Sequence, residues 1–365
     1  MPPGATVGGV LAVPEHVPLA ARVVGALRSA LRGGEWSGWL PGERALSERL
    51  GVSRPTLRAA LAELEREGWV RAEQGKRRRI LRGGGGPRRR VVAMLAPEPL
   101  EGLPAQVIFW IDRLRERLDA EGWQLEMHCD RACYSGRPER ALEREVGSTN
   151  AGVWLLLRTT QRAQRWFQGR GVPCVLSGTC HVGIDLPAVD VDLRAVCRHA
   201  AGLLLGRGHR RIALILHAGM QAGDVASEAG FLEAFVASGH QGAAPRVVRH
   251  DGTRAGVMRV VEGLMRHGDG PTALVVARSA PALVALTHLQ RIGFRVPGDV
   301  SLVARDDDHF LEHTSPELAR YRYDPALHER RVFRLLMETA QGRGAGRQVY
   351  GMARLVPGET LAHRS

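Results

Sequence analysis

Arginines carry most of the chemistry open to this chain, and the best placed of them stand early. Arg54 and Arg58 are one helical turn apart and follow Gly51-Val52-Ser53. Ser53 is a strong N-cap type, Pro55 is tolerated in a first helical turn, and Leu57, Leu61 and Leu64 share one apolar stripe. Side chains at that end of a helix reach base edges when it enters a DNA groove, and the free N–H groups there suit phosphate. Downstream, 69–71 and 78–80 read as two strands with Gln74-Gly75-Lys76-Arg77 at the hairpin tip. A basic tip of this kind can lie along a minor groove or a phosphate backbone. A helical hairpin with a solvated arginine face would share the charge. It would not share the order of Gly turn, capping Ser, paired Arg and basic hairpin.

A second set of candidates lies late in the chain. Asp306 follows the apolar run 300–304, and a carboxylate at the end of such a strand can accept hydrogen bonds from two hydroxyls of a ligand. A solvated acidic turn, Asp306-Asp307-Asp308, is the other reading of the same residues. His309 and His313, with Asp308, have a spacing that suits a metal, but a polar loop or helix start is the reading preferred, so no metal site is expected. The five cysteines, Cys129, Cys133, Cys174, Cys180 and Cys197, match no zinc spacing and read as reduced thiols.

These residues need elements to position them. A helix over 19–31, a short helix over 43–50 and the Ser53-capped helix form a compact basic unit with the hairpin, spanning 15–82. The run Gly83-Gly84-Gly85-Gly86-Pro87-Arg88-Arg89-Arg90 reads as a linker. From 91 to 365, apolar runs at 91–95, 152–157, 172–176, 211–216, 272–277 and 300–304 alternate with helical patterns at 106–120, 193–205, 229–237, 255–266 and 280–291. That alternation predicts a doubly wound α/β body with parallel sheets.

Composition agrees with this division. The chain has 365 residues, 44% hydrophobic and 24% charged, so it is long enough for two to three domains and too apolar to be disordered. The net charge is +13, and residues 1–90 hold 17 Lys and Arg against 8 Asp and Glu. A basic module joined to a near-neutral body points to a polyanion partner at the N-terminal end. No apolar run is long enough to span a bilayer, and no basic residue precedes the weakly apolar start, so neither a membrane partner nor a secretory signal is expected and the cytoplasm is the expected location.

Leu40-Pro41-Gly42-Glu43-Arg44, Leu50-Gly51-Val52-Ser53-Arg54-Pro55-Thr56-Leu57-Arg58 and Leu64-Glu65-Arg66-Glu67-Gly68 resemble the winged helix-turn-helix of the GntR family, over nearly all of 19–80. The resemblance implies double-stranded operator DNA as partner. It implies DNA contacts from Arg44, Ser53, Arg54, Thr56 and Arg58, with Gln74, Gly75 and Lys76 in the wing beside Arg77. Gly42 departs from the usual Ser, which loosens the cap of the second helix. An aminotransferase body of the kind some GntR proteins carry is excluded, because a Schiff base needs a lysine and Lys76, the single one, sits in the wing. An all-helical metal-binding body conflicts with the strand–helix alternation.

The segments Gly171-Val172-Pro173-Cys174-Val175-Leu176, Gly208-His209-Arg210-Arg211-Ile212-Ala213, Val296-Pro297-Gly298-Asp299-Val300-Ser301 and Pro316-Glu317-Leu318 resemble LacI-type sensor domains. That resemblance implies two α/β subdomains, joined by crossing strands, with a ligand cleft between them as in periplasmic sugar-binding proteins. It implies effector contact by Asp306. The Asn-Asp pair of the resembled family falls on Arg278-Ser279, and its helix arginine falls on Ser227, with Gly230 kept. Arg278 reverses the local charge and would suit a sugar acid or sugar phosphate. The combination predicts a homodimeric, cofactor-free repressor controlled by a small carbohydrate-like effector. Two alternatives stay open: a degenerate sensor that only dimerises, and a sugar-acting enzyme, for which no Walker, GxSxG, HExxH or dinucleotide motif is present.

Overall fold

A computed structural model of the chain describes residues 19–32, 36, 39–72, 77–80, 90–219, 221–240, 242–266 and 268–364. The chain divides into two compact units, Met1–Arg89 and Arg90–Ser365.

In the first unit, α1 (Leu19–Arg32), α2 (Glu43–Leu50) and α3 (Arg54–Arg66) precede two short strands, β1 (Val70–Arg71) and β2 (Arg79–Ile80). The helices form because their apolar residues recur on one side. Val23, Val24 and Leu27 meet Leu46, Leu57, Leu61 and Leu64, and Val70 closes the cluster. Gly51 ends α2 at φ 64, a left-handed turn that glycine adopts without strain, and this sets α3 across α2. The Ser53 hydroxyl accepts from the Thr56 N–H at 3.3 Å, and Pro55 fills the first turn, where no N–H is needed. Gly42, in contrast, gives α2 no side-chain cap. Val70 pairs with Ile80 and Arg71 with Arg79, antiparallel, and Trp39 bridges to Arg79. Residues 73–76, with Gln74, Gly75 and Lys76 of the expected hairpin tip, and the Gly-rich stretch 81–89 lie outside the described residues.

The second unit has two halves. The first is built from β3 (Val91–Leu95), α4 (Ala105–Ala120), β4 (Gln124–His128), α5 (Glu139–Ser148), β5 (Val153–Leu157), α6 (Gln161–Arg170), β6 (Cys174–Ser177) and β7 (Ala188–Val191). The second is built from α7 (Leu193–Gly206), β8 (Arg211–His217), α8 (Ala222–Ser238), β9 (Ala244–His250), α9 (Arg254–Met265), β10 (Ala273–Val276), α10 (Ser279–Arg291), β11 (Ser301–Ala304) and β12 (Ala319–Arg322). The chain then returns to the first half for α11 (Pro325–Ala340) and β13 (Gln348–Gly351), and to the second for β14 (Arg354–Val356). It therefore crosses between halves near Asp192, Tyr323 and Met352.

The sheets run β13-β7-β6-β5-β3-β4 and β14-β12-β11-β10-β8-β9. All pairs are parallel except β12 with β14. Central strands such as β3 and β5 are buried at every residue, which is why they read as unbroken apolar runs. Helices α4 and α11 cover one face of the first sheet, and α5 and α6 the other. Helices α7 and α8 cover one face of the second, and α9 and α10 the other.

The Gly208-His209 motif serves this architecture. Gly208, at φ 90, lies against the Arg364 carbonyl, where any side chain would collide. His209 is fully buried, with Nδ1 2.9 Å from Thr272 Oγ1 and Nε2 3.2 Å from the Ala362 carbonyl. Burial pushes its pKa down to about 4, so a neutral imidazole pins the 361–364 segment to the second half. Thr360 is buried too. Its hydroxyl donates to the Leu302 carbonyl at 2.6 Å and accepts from the Ala319 N–H at 2.9 Å, fastening β11 to β12.

Candidate functional site

In the first unit, the solvent side of α3 presents Ser53, Arg54 and Arg58, with Thr56 half-buried between them. Arg58 donates from Nε to Glu43 Oε2 at 2.8 Å. The other oxygen of Glu43 accepts from Arg78 Nη1, also at 2.8 Å. The hydrogen bonds from Arg78 and then Arg58 hold the Glu43 carboxyl below the usual carboxylate range, so it stays ionised and ties α3 to the chain entering β2. Arg44 is exposed and pairs with Glu48 at 3.0 Å. Arg77 is exposed, while Gln74, Gly75 and Lys76 lie outside the described residues. Ser53, Arg54 and Thr56 thus stand at the start of α3, with Arg58 one turn on, while Arg44 stands in the first turn of α2 beside Glu43, the partner of Arg58. Such a surface can accept phosphates and base edges together.

In the second unit, a cavity of about 260 Å³ opens between the halves, at the carboxyl ends of their strands. Arg278, Ser279 and Asp306 line it; Ser227 lies beneath, fully buried on α8. The organising residue is Arg305, which the sequence reading passed over. It is 6% exposed. Its Nη1 donates to Asp224 Oδ1 at 2.7 Å and to Ser227 Oγ at 2.9 Å, and its Nη2 and Nε reach Asp306 at 2.9 and 3.3 Å. A guanidinium expected on α8 at Ser227 is supplied instead from the end of β11. The signal was there, since a charge directly follows an apolar strand run.

Asp306 also accepts from the Arg278 backbone N–H at 2.7 Å. Burial pushes its carboxyl up, but the charge and hydrogen bonds of Arg305 more than offset that, leaving the pKa below the ordinary value. Arg278 has φ 68 and Arg158, across the cavity, has φ 52. For side-chain-bearing residues such positive φ costs on the order of 1–3 kcal/mol. Asp190 accepts from Thr179 Oγ1 and the Val191 N–H. Burial pushes its pKa up to about 6. Trp110 meets the ring of His328 edge-on at 5.1 Å, with Tyr323 5.8 Å away on another side. His328 Nε2 lies 3.1 Å from Ser177 Oγ, and burial pushes its pKa down to about 4. Planar donors and acceptors beside aromatic rings suit a ligand with hydroxyls on its edge and an apolar face. Among the described residues, no group of three His, Cys, Asp or Glu side chains is arranged to hold a metal.

Residues 19–80 match the family described as bacterial regulatory proteins, gntR family, and residues 201–361 match the periplasmic binding protein-like domain. The chain carries a gntR head and a periplasmic-binding-protein-like body. The HTH-type transcriptional regulator CelR of Thermobifida fusca is 30% identical over 195 residues, 52% of this chain and 57% of that protein. The HTH-type transcriptional regulator reg1 of Streptomyces lividans is 28% identical over 309 residues, 81% of this chain and 85% of the other. The HTH-type transcriptional repressor CytR of Escherichia coli is 26% identical over 197 residues, 52% and 56%. The matches thus span little more than half the length of CelR and CytR. Among solved structures, a transcriptional regulator CelR–cellobiose complex superposes with a TM-score of 0.66 at 22% identity, covering 88% of this chain and 100% of that one. A LacI family regulator from Mycobacterium smegmatis gives 0.65 at 22%, covering 75% and 100%. The periplasmic-binding-protein-like body shares their fold, and the gntR head has the helix-turn-helix order that its motif predicted.

Proposed function

We propose that the protein is a DNA-binding transcriptional regulator, a cytoplasmic homodimer that represses from an operator and is released by a small carbohydrate-like effector. The observation that carries this reading is the solvent side of α3, where a Ser53-capped helix start presents Arg54 and Arg58 to solvent. The polar cavity between the halves of the second unit supports a sensor role. So do the relatives, which are regulators or repressors, and a solved structure of the same fold is a CelR–cellobiose complex. Ligand binding closes one half on the other about the three crossings, and this movement is the output.

The test is selection of DNA sites from a random duplex pool, followed by titration of the selected site. Enrichment of one two-fold symmetric site bound by two chains supports the reading. Equal binding of all duplexes would sink it. A thermal-shift panel of sugars, sugar acids and sugar phosphates tests the sensor, since a ligand at 100 times its Kd adds about 2.7 kcal/mol.

A further inference from the structure

Two arginines from different halves occupy the same place in their sheets. The first sheet runs β4-β3-β5-β6-β7 and the second β9-β8-β10-β11-β12, so β5 and β10 are equivalent strands. Arg158 directly follows β5, and Arg278 lies two residues beyond β10. Each precedes a helix, α6 or α10, whose N-terminal end adds partial positive charge. Among the described residues they are the two non-glycine positions at positive φ, and both line the same cavity. Backbone strain of this kind persists where the surroundings over-determine it, and ligand clamps are such places.

Their side chains are under-used. A guanidinium has five N–H donors. Among the described residues, Arg158 spends Nη1 on Glu98 Oε1 at 2.6 Å. Arg278 spends Nη2 on Gln221 Oε1 at 3.1 Å and stands 3.6 Å from Asp224 Oδ2. Arg305 differs, since Asp224, Ser227 and Asp306 already hold it from below. Asp306 lines the cavity and keeps acceptor capacity there, while Asp224 Oδ2 has no hydrogen-bond partner among the described residues. Burial lowers the Arg278 pKa, Asp224 opposes that, and the like charges of Arg158 and Arg305 lower it further. Each arginine has a carboxylate on one side, Glu98 or Asp224, and keeps N–H donors to spare toward one shielded space, where a carboxylate or phosphate can accept from both at once.

We propose that Arg158 and Arg278 form a two-sided clamp for an anionic group, a carboxylate or a phosphate, carried by a polyhydroxylated effector. This rests on the sensor reading above and narrows its ligand class. The hydroxyls of the effector face Asp306 and Asp190, and its apolar face lies toward Trp110.

The experiment is calorimetric titration of the full chain with aldonic acids, uronic acids, hexose phosphates and pentose phosphates, each against its neutral parent sugar. At least one acid should bind 100-fold more tightly than its neutral parent, and whether it is a carboxylate or a phosphate identifies the source. Arg158→Gly and Arg278→Gly should each weaken that binding ten-fold or more. Glycine accepts positive φ, which offsets the lost contacts to Glu98 and Asp224, so both variants should keep a cooperative melt within a few degrees of the parent without ligand, which separates lost binding from lost folding. Failure of every acid to bind, equal binding of a neutral parent, or undiminished binding by either variant overturns the clamp. Operator binding by the parent is measured alongside. Its loss would count against the regulator reading, whereas an operator-binding parent that takes no acid overturns the clamp alone.

Discussion

Arg54 makes no ion pair among the described residues, whereas Arg58, one turn on, is already bonded to Glu43. The proposed DNA interface therefore assigns the two different parts. Arg54→Ala should cost about 1–3 kcal/mol and relax preference at one base pair per half-site, read by anisotropy titration of single-substituted operators. An unchanged affinity and base preference would remove Arg54 from the interface. His328 gives a residue-scale test of the cavity. Its pKa of about 4 in the fold lies below the ordinary 6.5, so between these values the unfolded chain takes up a proton that the folded chain refuses. Its contribution is complete above pH 6.5 and falls as pH drops toward 4, by about 3 kcal/mol in all. Thermal melts from pH 7 to 4.5 should show a steeper loss for the parent than for His328→Gln. Parallel curves would mean that folding leaves the His328 pKa unshifted.

Glu43 links three elements, since α2 supplies it and α3 and the chain entering β2 each give it an arginine. Glu43→Gln releases Arg58 and Arg78 toward phosphates. Affinity for non-specific duplex should rise, and the plot of log affinity against log salt should steepen by about 0.9 per added contact. Stability should fall by no more than about 1 kcal/mol, because the Arg58 side of the pair is largely exposed. An unaltered slope would show that neither arginine reaches the backbone. At this scale the sequence was legible where one pattern dominated. The apolar runs behind β3, β5, β6, β8, β10 and β11, and the periodic faces of α4, α7, α9 and α10, lie within a residue or two of their elements. The expected helix at 229–237 starts earlier, at Ala222, because α8 turns apolar residues to several sides and its opening turn holds Asp224. The strands that gave no signal are partly exposed edge strands, such as β9 and β4, or carry charge inward, as β12 does with Arg320 buried against Asp307. The cleft was half legible. Asp306 and Arg278 stood out as charges after strands. Arg305 and Asp224 become meaningful only when the fold places them 2.7 Å apart across 81 positions of sequence.

For the whole molecule, the buried Arg305 network sets what a binding-site mutation does. Asp306→Ala deletes the carboxylate that receives two of the arginine's donors, while Asp224 and Ser227 keep the rest. We expect a loss of about 2 kcal/mol in unfolding free energy and, under the function proposed above, weakened effector binding and operator binding that persists when effector is added. Asp306→Asn, which retains the acceptor facing Arg278, should recover part of the stability. If both variants melted like the parent and responded to effector, Asp306 would be a solvated acidic turn.

The three crossings carry a different kind of consequence. The first half is assembled from 91–191 and 325–351, and the second from 193–322 and 354–364, with the chain near Asp192 fastened to β13 through the Gly351 carbonyl at 2.8 Å. Neither half exists as one uninterrupted stretch of gene. A recombination point between 192 and 324 would hand a hybrid the strands of one parent and the covering helix α11 of another, across a core containing Trp110, Val332 and Leu336. Exchange at the boundary near Arg89 inherits both units whole. Shuffling among relatives should therefore yield new pairings of head and body far more readily than new pairings of the two halves.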